Sequence, residues 1–407
     1  MRRRRAPVFL ASGVALLVAG AAAGPKVALP EEPLLRAPGY RAQPVYADSG
    51  QQYDDARWLG GGDVPGGATA WAEMARWALV DIRSQTSPNG AVAAGPGRSW
   101  QYFWPRDGSF AAVALARSDH RAEASRVLDR LSGLEFDDAV GFQARYGLDG
   151  SPRRDRPRQS DGCGWVLWAV AEVRAEAPAA VPPSADRLRD RCVATLTRLV
   201  AQGHRLPPAS PDYWEVAVDR TTLGTVAPMV AGLLAASRDY SLTGDARAAR
   251  RTREVGDALA AVVVRGFGPR FERFGDTGGL DAAVLLLLPP FLPAGELPAD
   301  SGAALDSAVH RYAREALQPA GGLAPGVDWV KHDGSSWTPE TALLALTAAA
   351  TGHRERAGDL LDWLDAHRTS YGSLPEKVTR TGRPAGPAPL IWTASLVVLT
   401  LSELERH

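Results

Sequence analysis

The chain has 407 residues, and its 46 basic side chains balance its 46 acidic ones, so its formal net charge is +0. Hydrophobic residues make up 45% of the sequence and charged residues 23%, which is typical of a globular protein and excludes an intrinsically disordered one. A neutral chain without a basic stripe provides no electrostatic surface for nucleic acid, so we expect an uncharged ligand and no nucleic-acid partner.

The first 23 residues have the pattern of a signal peptide. Consecutive arginines precede an apolar run from about Ala6 to Val18, and small residues follow with a cleavage motif at Ala21-x-Ala23. We therefore predict a signal peptide over 1–23 and a secreted, extracellular protein. If the segment is not cleaved, its apolar run is long enough to serve as an N-terminal membrane anchor.

Residues 24–66 are rich in Pro, Gly and Ala and show little periodicity, so we interpret them as a linker or wrapping segment. Residues 67–407 are predicted to form one helical domain, because helical periodicity runs through almost all of it. Apolar spacings of three and four predict about twelve helices and no strand. The predicted helices are at 68–85, 107–118, 120–134, 161–177, 184–203, 222–240, 243–265, 279–291, 300–317, 337–351, 353–368 and 390–405.

Short connections alternate with long ones along this domain. The long connections recur about every 50 to 60 residues, which indicates one helix pair used repeatedly. Pairs whose long loops all open at one end predict an all-α fold, the (α/α)6 barrel, with an inner ring of helices inside an outer ring and functional loops on one face. An irregular helical bundle or an open solenoid is the alternative.

Cys163 and Cys192 are the two cysteines, and we place them on consecutive antiparallel helices. Whether they form a disulfide stays open, because the separation of their Cα atoms cannot be read from a sequence. Two cysteines and 7 scattered histidines show no metal-ligand spacing, so we predict no metal site.

The unusual aromatic and charged clusters lie in or beside the long loops. In chain order they are YFWPRDGSF (102–110), RQSDGCGW (158–165), SPDYWEVAVD (210–219), GDTGGLDAAVLLLL (275–288), GVDWVKHDGSSWTPET (326–341) and YGSLPEKVTRTG (371–382). Sugar rings stack their apolar faces on aromatic side chains, and sugar hydroxyls hydrogen-bond to charged groups. The converging loops therefore predict a carbohydrate pocket.

Two glutamates have neighbours suited to acid and base chemistry. Glu215 follows Tyr213 and Trp214, and desolvation by these rings would raise its pKa and keep it protonated as a general acid. Glu376 follows a rigid Ser-Leu-Pro turn, and only Lys377 beside it would perturb its charge, so we expect it to stay ionised as a base.

Each of these residues, taken alone, also has a simpler structural interpretation. A glutamate near tryptophan is most often a helix cap or a solvated loop charge. Asp281 could cap a helix, and the adjacent Arg106 and Asp107 could form an ion pair where a helix begins. The residues by themselves leave these alternatives open.

Several ordered motifs resemble those of glycoside hydrolase family 15, the glucoamylase-like family. They are YFWPRDGSFAAVAL, QSDGCG, DYWEV, LDAAVLLL, WTPETALLAL and GSLPEKV followed by PLIWTASLVV, and they cover about residues 68–405. The resemblance implies an (α/α)6 barrel with exo-acting, inverting α-glucosidase activity. It also implies a carbohydrate substrate, the release of β-glucose from chain ends, and no cofactor.

In this resemblance Glu215 matches the general acid, and Glu376 matches the general base that activates water. An inverting site holds a water between base and sugar, so the two carboxyl groups should lie about 6.5–9.5 Å apart. Five further residues match binding positions of the family. Trp104, Arg106 and Asp107 match the clamp on the terminal glucose, and Trp214 and Trp337 match the pocket wall.

The sequence departs from the family pattern at two places. Val216 stands where many members carry a second acidic residue, and Lys331 and His332 stand where relatives often present an arginine. These departures leave the linkage and the leaving group open. The alternatives are a trehalase or glucodextranase on the same scaffold, and a catalytically silent carbohydrate-binding barrel. The sequence gives no oligomeric state.

Overall fold

The computed structural model describes residues 49–406, so the predicted signal peptide and residues 24–48 of the predicted linker lie outside the described residues. The described chain contains twelve α-helices. They are α1 (Ser49–Leu59), α2 (Ala72–Gln85), α3 (Pro105–Arg117), α4 (Arg121–Ser132), α5 (Gly162–Glu176), α6 (Pro183–Leu199), α7 (Leu223–Leu242), α8 (Ala246–Phe267), α9 (Gly302–Glu315), α10 (Thr338–Ala350), α11 (Arg354–Ala366) and α12 (Ile391–Arg406).

From α2 onward the chain alternates between an outer and an inner ring. The inner ring consists of α3, α5, α7, the 3-10 helix Ala282–Leu287, α10 and α12, and it closes where α12 packs on α3. The outer ring consists of α2, α4, α6, α8, α9 and α11. This arrangement confirms the predicted (α/α)6 barrel, and it places the long loops before the inner elements.

The distribution of apolar residues decides which ring a helix joins. On α5 every residue from Gly162 to Ala171 is buried, as expected for a helix surrounded by others. On α8 the buried residues Val255, Leu259 and Val263 recur on one face, whereas Arg265 is exposed. One-sided patterns therefore belong to the outer ring, and patterns that are apolar all round belong to the inner ring.

The α-helix predicted at 279–291 is wrong, because this segment forms only the 3-10 helix Ala282–Leu287. Backbone hydrogen bonds from Ala282 N to Pro325 O (3.0 Å) and from Val327 N to Leu280 O (2.8 Å) hold its start extended against the fifth long loop. Pro289 and Pro290 follow and lack the N–H groups that a longer helix needs. The apolar run in the sequence indicates that the segment is buried, but a buried segment can form either an α-helix or a 3-10 helix.

The expectation of no strand is also wrong in detail. Short antiparallel pairings brace the long loops, and each strand has two residues: β1 (Phe136–Asp137), β2 (Gly141–Phe142), β3 (Arg145–Tyr146), β4 (Pro152–Arg153), β5 (Ser336–Trp337), β6 (Lys377–Val378) and β7 (Pro384–Ala385). The order β5-β6-β7 joins the fifth and sixth loops. Runs this short carry no periodicity that a sequence could display.

The helix α1 lies inside the range interpreted as a linker or wrapping segment, and it packs on the barrel. Trp58 stacks on His120, with ring centroids 3.6 Å apart, and Asp55 pairs with Arg83 at 2.6 Å. Between residues 49 and 406, no helix is both long enough and apolar enough to cross a membrane.

The two cysteines lie on consecutive helices, as predicted. Cys163 on α5 and Cys192 on α6 are both buried, and both are free thiols in this structure.

Glycines permit the inner helices α5 and α7 to approach closely. A Cβ atom on Gly164 would lie 2.3 Å from the carbonyl oxygen of Pro228. A Cβ atom on Gly232 would lie 2.4 Å from the carbonyl oxygen of Gly164. Because both obstacles are backbone atoms, neither helix can accept a larger residue without moving.

We predict that Gly164→Ala lowers the free energy of unfolding by about 1–3 kcal/mol, because the added methyl group overpacks the α5–α7 contact. Urea unfolding followed by circular dichroism measures the change. Gly302→Ala on α9 is the matched control, since nothing lies within 4 Å of its added Cβ atom. Equal stability of the two variants would contradict the packing argument.

Candidate active site

A cavity of about 370 Å³ lies at the barrel end where the long loops meet the N-termini of the inner helices. This volume is in the range of small-molecule sites. The cavity is lined by all seven residues that the sequence singled out: Trp104, Arg106, Asp107, Trp214, Glu215, Trp337 and Glu376. It is also lined by residues that the sequence analysis did not assign, among them Trp100, Arg156, Trp329, Glu340 and Trp392.

Arg106 and Asp107 occupy the first turn of α3, directly after Pro105, whose ring suits the first helical position. Both are buried, with 8% and 3% of their surfaces exposed, and Arg106 Nη2 lies 3.4 Å from Asp107 Oδ2. Burial raises the pKa of Asp107, and Arg106 opposes this shift. Arg106 and Asp107 therefore form the predicted ion pair at a helix start, and this ion pair is almost completely buried.

Part of the hydrogen-bonding capacity of this pair is not used by the protein. Within residues 49–406, Arg106 Nε and Nη1 and Asp107 Oδ2 have no hydrogen-bond partner. The Arg106 guanidinium lies 4.9 Å from the centroid of the Trp392 ring. Unpaired polar atoms at the edge of a cavity are costly unless a ligand satisfies them, so the pair is suited to grip hydroxyl groups.

Glu215 lies in the third long loop with a positive φ of 56°, a conformation that non-glycine residues rarely adopt. Its N–H donates to Asp212 O at 2.8 Å, and its Oε1 accepts a hydrogen bond from Trp104 Nε1 at 2.7 Å. Its Oε2 forms an ion pair with Arg156. Such strained backbone is concentrated at functional sites.

Arg156 was not predicted from the sequence. The rings of Tyr213 and Trp214 were the predicted neighbours of Glu215, and the structure adds a cation from the second long loop. The segment RRDRPR (153–158) contains four arginines among its six residues, and nothing in its pattern indicates which of them turns inward.

A buried charge network supports the third loop from below. Arg273 donates from Nη2 to Asp212 Oδ1 and from Nη1 to Asp281 Oδ2, both at 2.9 Å. Its guanidinium lies 3.8 Å from the centroid of the Trp214 ring. Asp281 also caps the 3-10 helix by accepting from Ala283 N at 2.8 Å, as its cap interpretation predicted. Neither Asp212 nor Arg273 was predicted from the sequence to have a role.

Glu376 is held by the sixth loop. Its N–H donates to Pro387 O at 2.8 Å, and its carbonyl oxygen accepts from Thr338 N at 3.0 Å. The backbone of Gly386 lies against its carboxyl group, because a Cβ atom there would be 2.5 Å from Glu376 Oε2. The fifth and sixth loops together therefore fix the direction of this carboxyl group.

The expectation that only Lys377 perturbs Glu376 is wrong. Burial raises the pKa of Glu376 to about 7, and the charges of Lys377 and Lys331 and a hydrogen bond from Trp100 oppose the shift. Desolvation disfavours the charged form, and here it outweighs two cations. Glu376 thus titrates near neutral pH, which suits a general base.

Three indole rings form one wall of the cavity. Trp329 lies edge-on between Trp214 and Trp337, with centroid distances of 4.8 Å and 5.3 Å. Lys331 Nζ lies 5.8 Å from the Trp337 centroid and, like Val216, lines the cavity. The side chain of His332, by contrast, is on the exposed surface and is not among the lining residues.

The arrangement can position a polar ring against indoles and present two carboxyl groups to it. Throughout the described chain, no group of three or more His, Cys, Asp or Glu side chains is placed to hold a metal ion.

We predict that Arg273→Leu lowers the free energy of unfolding by about 3–5 kcal/mol, because it leaves two carboxyl groups buried without their cation. The pKa of Asp281, which burial already raises to about 6, would rise further. A folded state with a raised carboxyl pKa binds more protons than the unfolded state, so the loss should be larger at about pH 8 than at about pH 5.

Urea unfolding at both pH values measures this loss. Arg265→Leu, on the exposed face of α8, is the control and should change stability by less than about 0.5 kcal/mol. A loss that is equal at the two pH values would contradict the role assigned to the buried carboxyl groups.

Comparison with known proteins finds similarity to glycoside hydrolases, although no protein-family model matches the chain. Isomaltose glucohydrolase of Kribbella flavida is 25% identical over 386 residues, covering 82% of this chain and 92% of that protein. A glycosidase variant solved in complex with glucose has a TM-score of 0.70 at 22% identity, covering 88% and 99% of the two chains. The family 15 glucoamylase from Hypocrea jecorina has a TM-score of 0.63 at 16% identity, covering 81% and 71%. The chain is therefore similar in sequence to a glycoside hydrolase, and it shares the (α/α)6 barrel fold of the glucoamylases.

Proposed function

We propose that the protein is an exported, exo-acting, inverting α-glucoside hydrolase that releases β-glucose from the non-reducing ends of dextrins or oligosaccharides. Glu215 is its general acid and Glu376 its general base. The observation that carries the proposal is that these two carboxyl groups come from different loops and line one cavity, beside buried polar atoms that lack protein partners.

The reaction needs one proton donor and one proton acceptor on opposite faces of the sugar. Glu215 protonates the glycosidic oxygen as the bond to the anomeric carbon breaks. Glu376 takes a proton from a water molecule, whose oxygen attacks that carbon from the other side and inverts its configuration. The hydrogen bond from Trp104 Nε1 to Glu215 Oε1 stabilises the carboxylate that Glu215 becomes.

The guanidinium of Arg156 forms an ion pair with Glu215. Because the proposed acid is uncharged until it donates its proton, we propose that this ion pair opens in the reactive state. The side chain of Arg156 is 34% exposed, which gives it room to move toward solvent. We expect the leaving group of the substrate to displace it.

The shape of the cavity favours cleavage at a chain end. Arg106 and Asp107 are buried at its floor, whereas Val330, which is 59% exposed, lies at its mouth. A sugar chain can enter such a pocket by one terminal unit. The similarity to isomaltose glucohydrolase favours short α-glucosides, and trehalose and dextrans are the alternative substrates.

The proposal of export rests on the N-terminal signal pattern alone. Mass spectrometry of the protein recovered from its native host would find the mature chain beginning after about Ala23, and an intact N-terminus would contradict cleavage.

Proton NMR of the reaction tests the proposed activity. With maltotriose, isomaltotriose or trehalose, the first glucose released should show the β-anomeric signal. An α-anomeric signal would exclude inversion, and no release from any glucoside would favour a binding barrel without catalysis.

We predict that Glu215→Gln and Glu376→Gln each reduce kcat by about 10²–10⁴-fold, because each removes one proton-transfer step. Circular dichroism should show the same helical spectrum as the unaltered protein. Full activity in either variant would refute the role given to that glutamate.

The pH profile tests the environment of Glu376. A base must be ionised, so kcat/KM should rise as pH increases through the pKa of about 7. The charge of Lys331 favours the ionised form, so Lys331→Gln should raise this pKa and move the acidic limb of the profile to higher pH. Arg265→Gln, on the exposed face of α8, should leave the limb in place. If the acidic limb of the pH profile does not move in Lys331→Gln, the result contradicts the assignment of this limb to Glu376.

A further inference from the structure

Glu340 is a carboxyl group in the cavity that the mechanism does not use. It lies in the first turn of α10, after Trp337 and Pro339, and only 3% of its surface is exposed. Its side chain lines the cavity, and its Oε2 has no hydrogen-bond partner among residues 49–406. A buried polar atom without a partner costs stability, so its presence calls for a ligand that completes it.

The unpaired atoms around the cavity form a set. Arg106, Asp107 and Tyr213 also line the cavity, and each has at least one buried side-chain atom without a partner in the described part of the chain. The charge of Arg106 acts on Glu340, so the two groups are close enough to interact. A molecule with several hydroxyl groups requires both hydrogen-bond donors and acceptors, and these unpaired atoms supply both.

Stabilisation of the helix does not account for Glu340. An ionised glutamate in a first turn would gain energy from the helix dipole. Burial, together with the charges of Glu376 and Asp281, raises the pKa of Glu340 to about 8 and outweighs a hydrogen bond with the backbone of Glu340 and the charge of Arg106, so at neutral pH the group is mainly the uncharged acid. An uncharged acid gains little from the dipole, but its O–H can donate a hydrogen bond while its other oxygen accepts one.

We propose that Glu340 is a third binding group of the pocket floor, beside Arg106 and Asp107, and that its carboxyl group hydrogen-bonds one hydroxyl of the terminal glucose unit. This assignment rests on the proposed function and adds a residue that determines sugar specificity.

Equilibrium binding separates a ligand contact from a structural role. The probes are D-glucose and its 2-, 3-, 4- and 6-deoxy derivatives, with binding followed by tryptophan fluorescence. Glu340→Leu, which keeps the bulk and removes the hydrogen bonds, should weaken glucose binding by about 10- to 100-fold. Glu340→Gln, which can still donate and accept, should bind glucose within about 3-fold of the unaltered protein.

The deoxy sugars identify the hydroxyl. For one of them, the unaltered protein and Glu340→Leu should bind equally, because that sugar lacks the group that Glu340 contacts. For the other three, Glu340→Leu should lose as much affinity as it does for glucose. A purely structural role would weaken all five sugars alike, and that result would overturn the proposal.

The control variant is Glu172→Gln, which alters a glutamate of the inner helix α5 that pairs with Arg117 and does not line the cavity. It should bind all five sugars like the unaltered protein. If the protein binds and hydrolyses glucosides but Glu340→Leu binds glucose normally, the assignment of Glu340 fails and the proposed function stands. If the unaltered protein neither binds glucose nor cleaves any α-glucoside, both proposals fail.

Discussion

The ion pairs of Arg273 with Asp212 and Asp281 organise the loop end of the barrel. Asp212 belongs to the loop that carries Glu215, and Asp281 belongs to the segment that bonds to the fifth loop. All three charges are almost fully buried, so each depends on the others to offset its desolvation. This mutual dependence fixes three loops relative to one another, and it explains how irregular backbone such as that of Glu215 is held in one conformation.

Burial also affects the carboxyl groups that line the cavity, and their different neighbours give them different tendencies to ionise. Glu215 meets an indole N–H and a guanidinium, and Glu376 meets two lysines. Glu340 is acted on by the charge of Arg106 and by the opposing charges of Glu376 and Asp281. Burial raises the pKa of Glu376 and of Glu340, but nearby cations oppose the shift to different extents. One small cavity can therefore hold acids in different protonation states at one pH.

Much of the site could be predicted because it lies in short, dense motifs. Trp104, Arg106 and Asp107 are nearly adjacent in the chain, so their proximity needs no tertiary information. Glu340 lay within a motif that the resemblance used and was still missed, because a glutamate in a first helical turn has an ordinary explanation. Arg156 was missed because its loop contains several equivalent arginines. Arg273 was missed because its partners lie 8 and 61 positions away.

The sequence by itself determined the repeated helix pairs, the two rings of the barrel and the loops that bear the site, since apolar periodicity is a local signal that each segment carries alone. Tertiary structure alone decided that residues 282–287 form a 3-10 helix, because hydrogen bonds to a distant loop compete there with an α-helix. It also decided the charge states within the cavity. Desolvation depends on every atom that surrounds a group, and no local pattern contains that information.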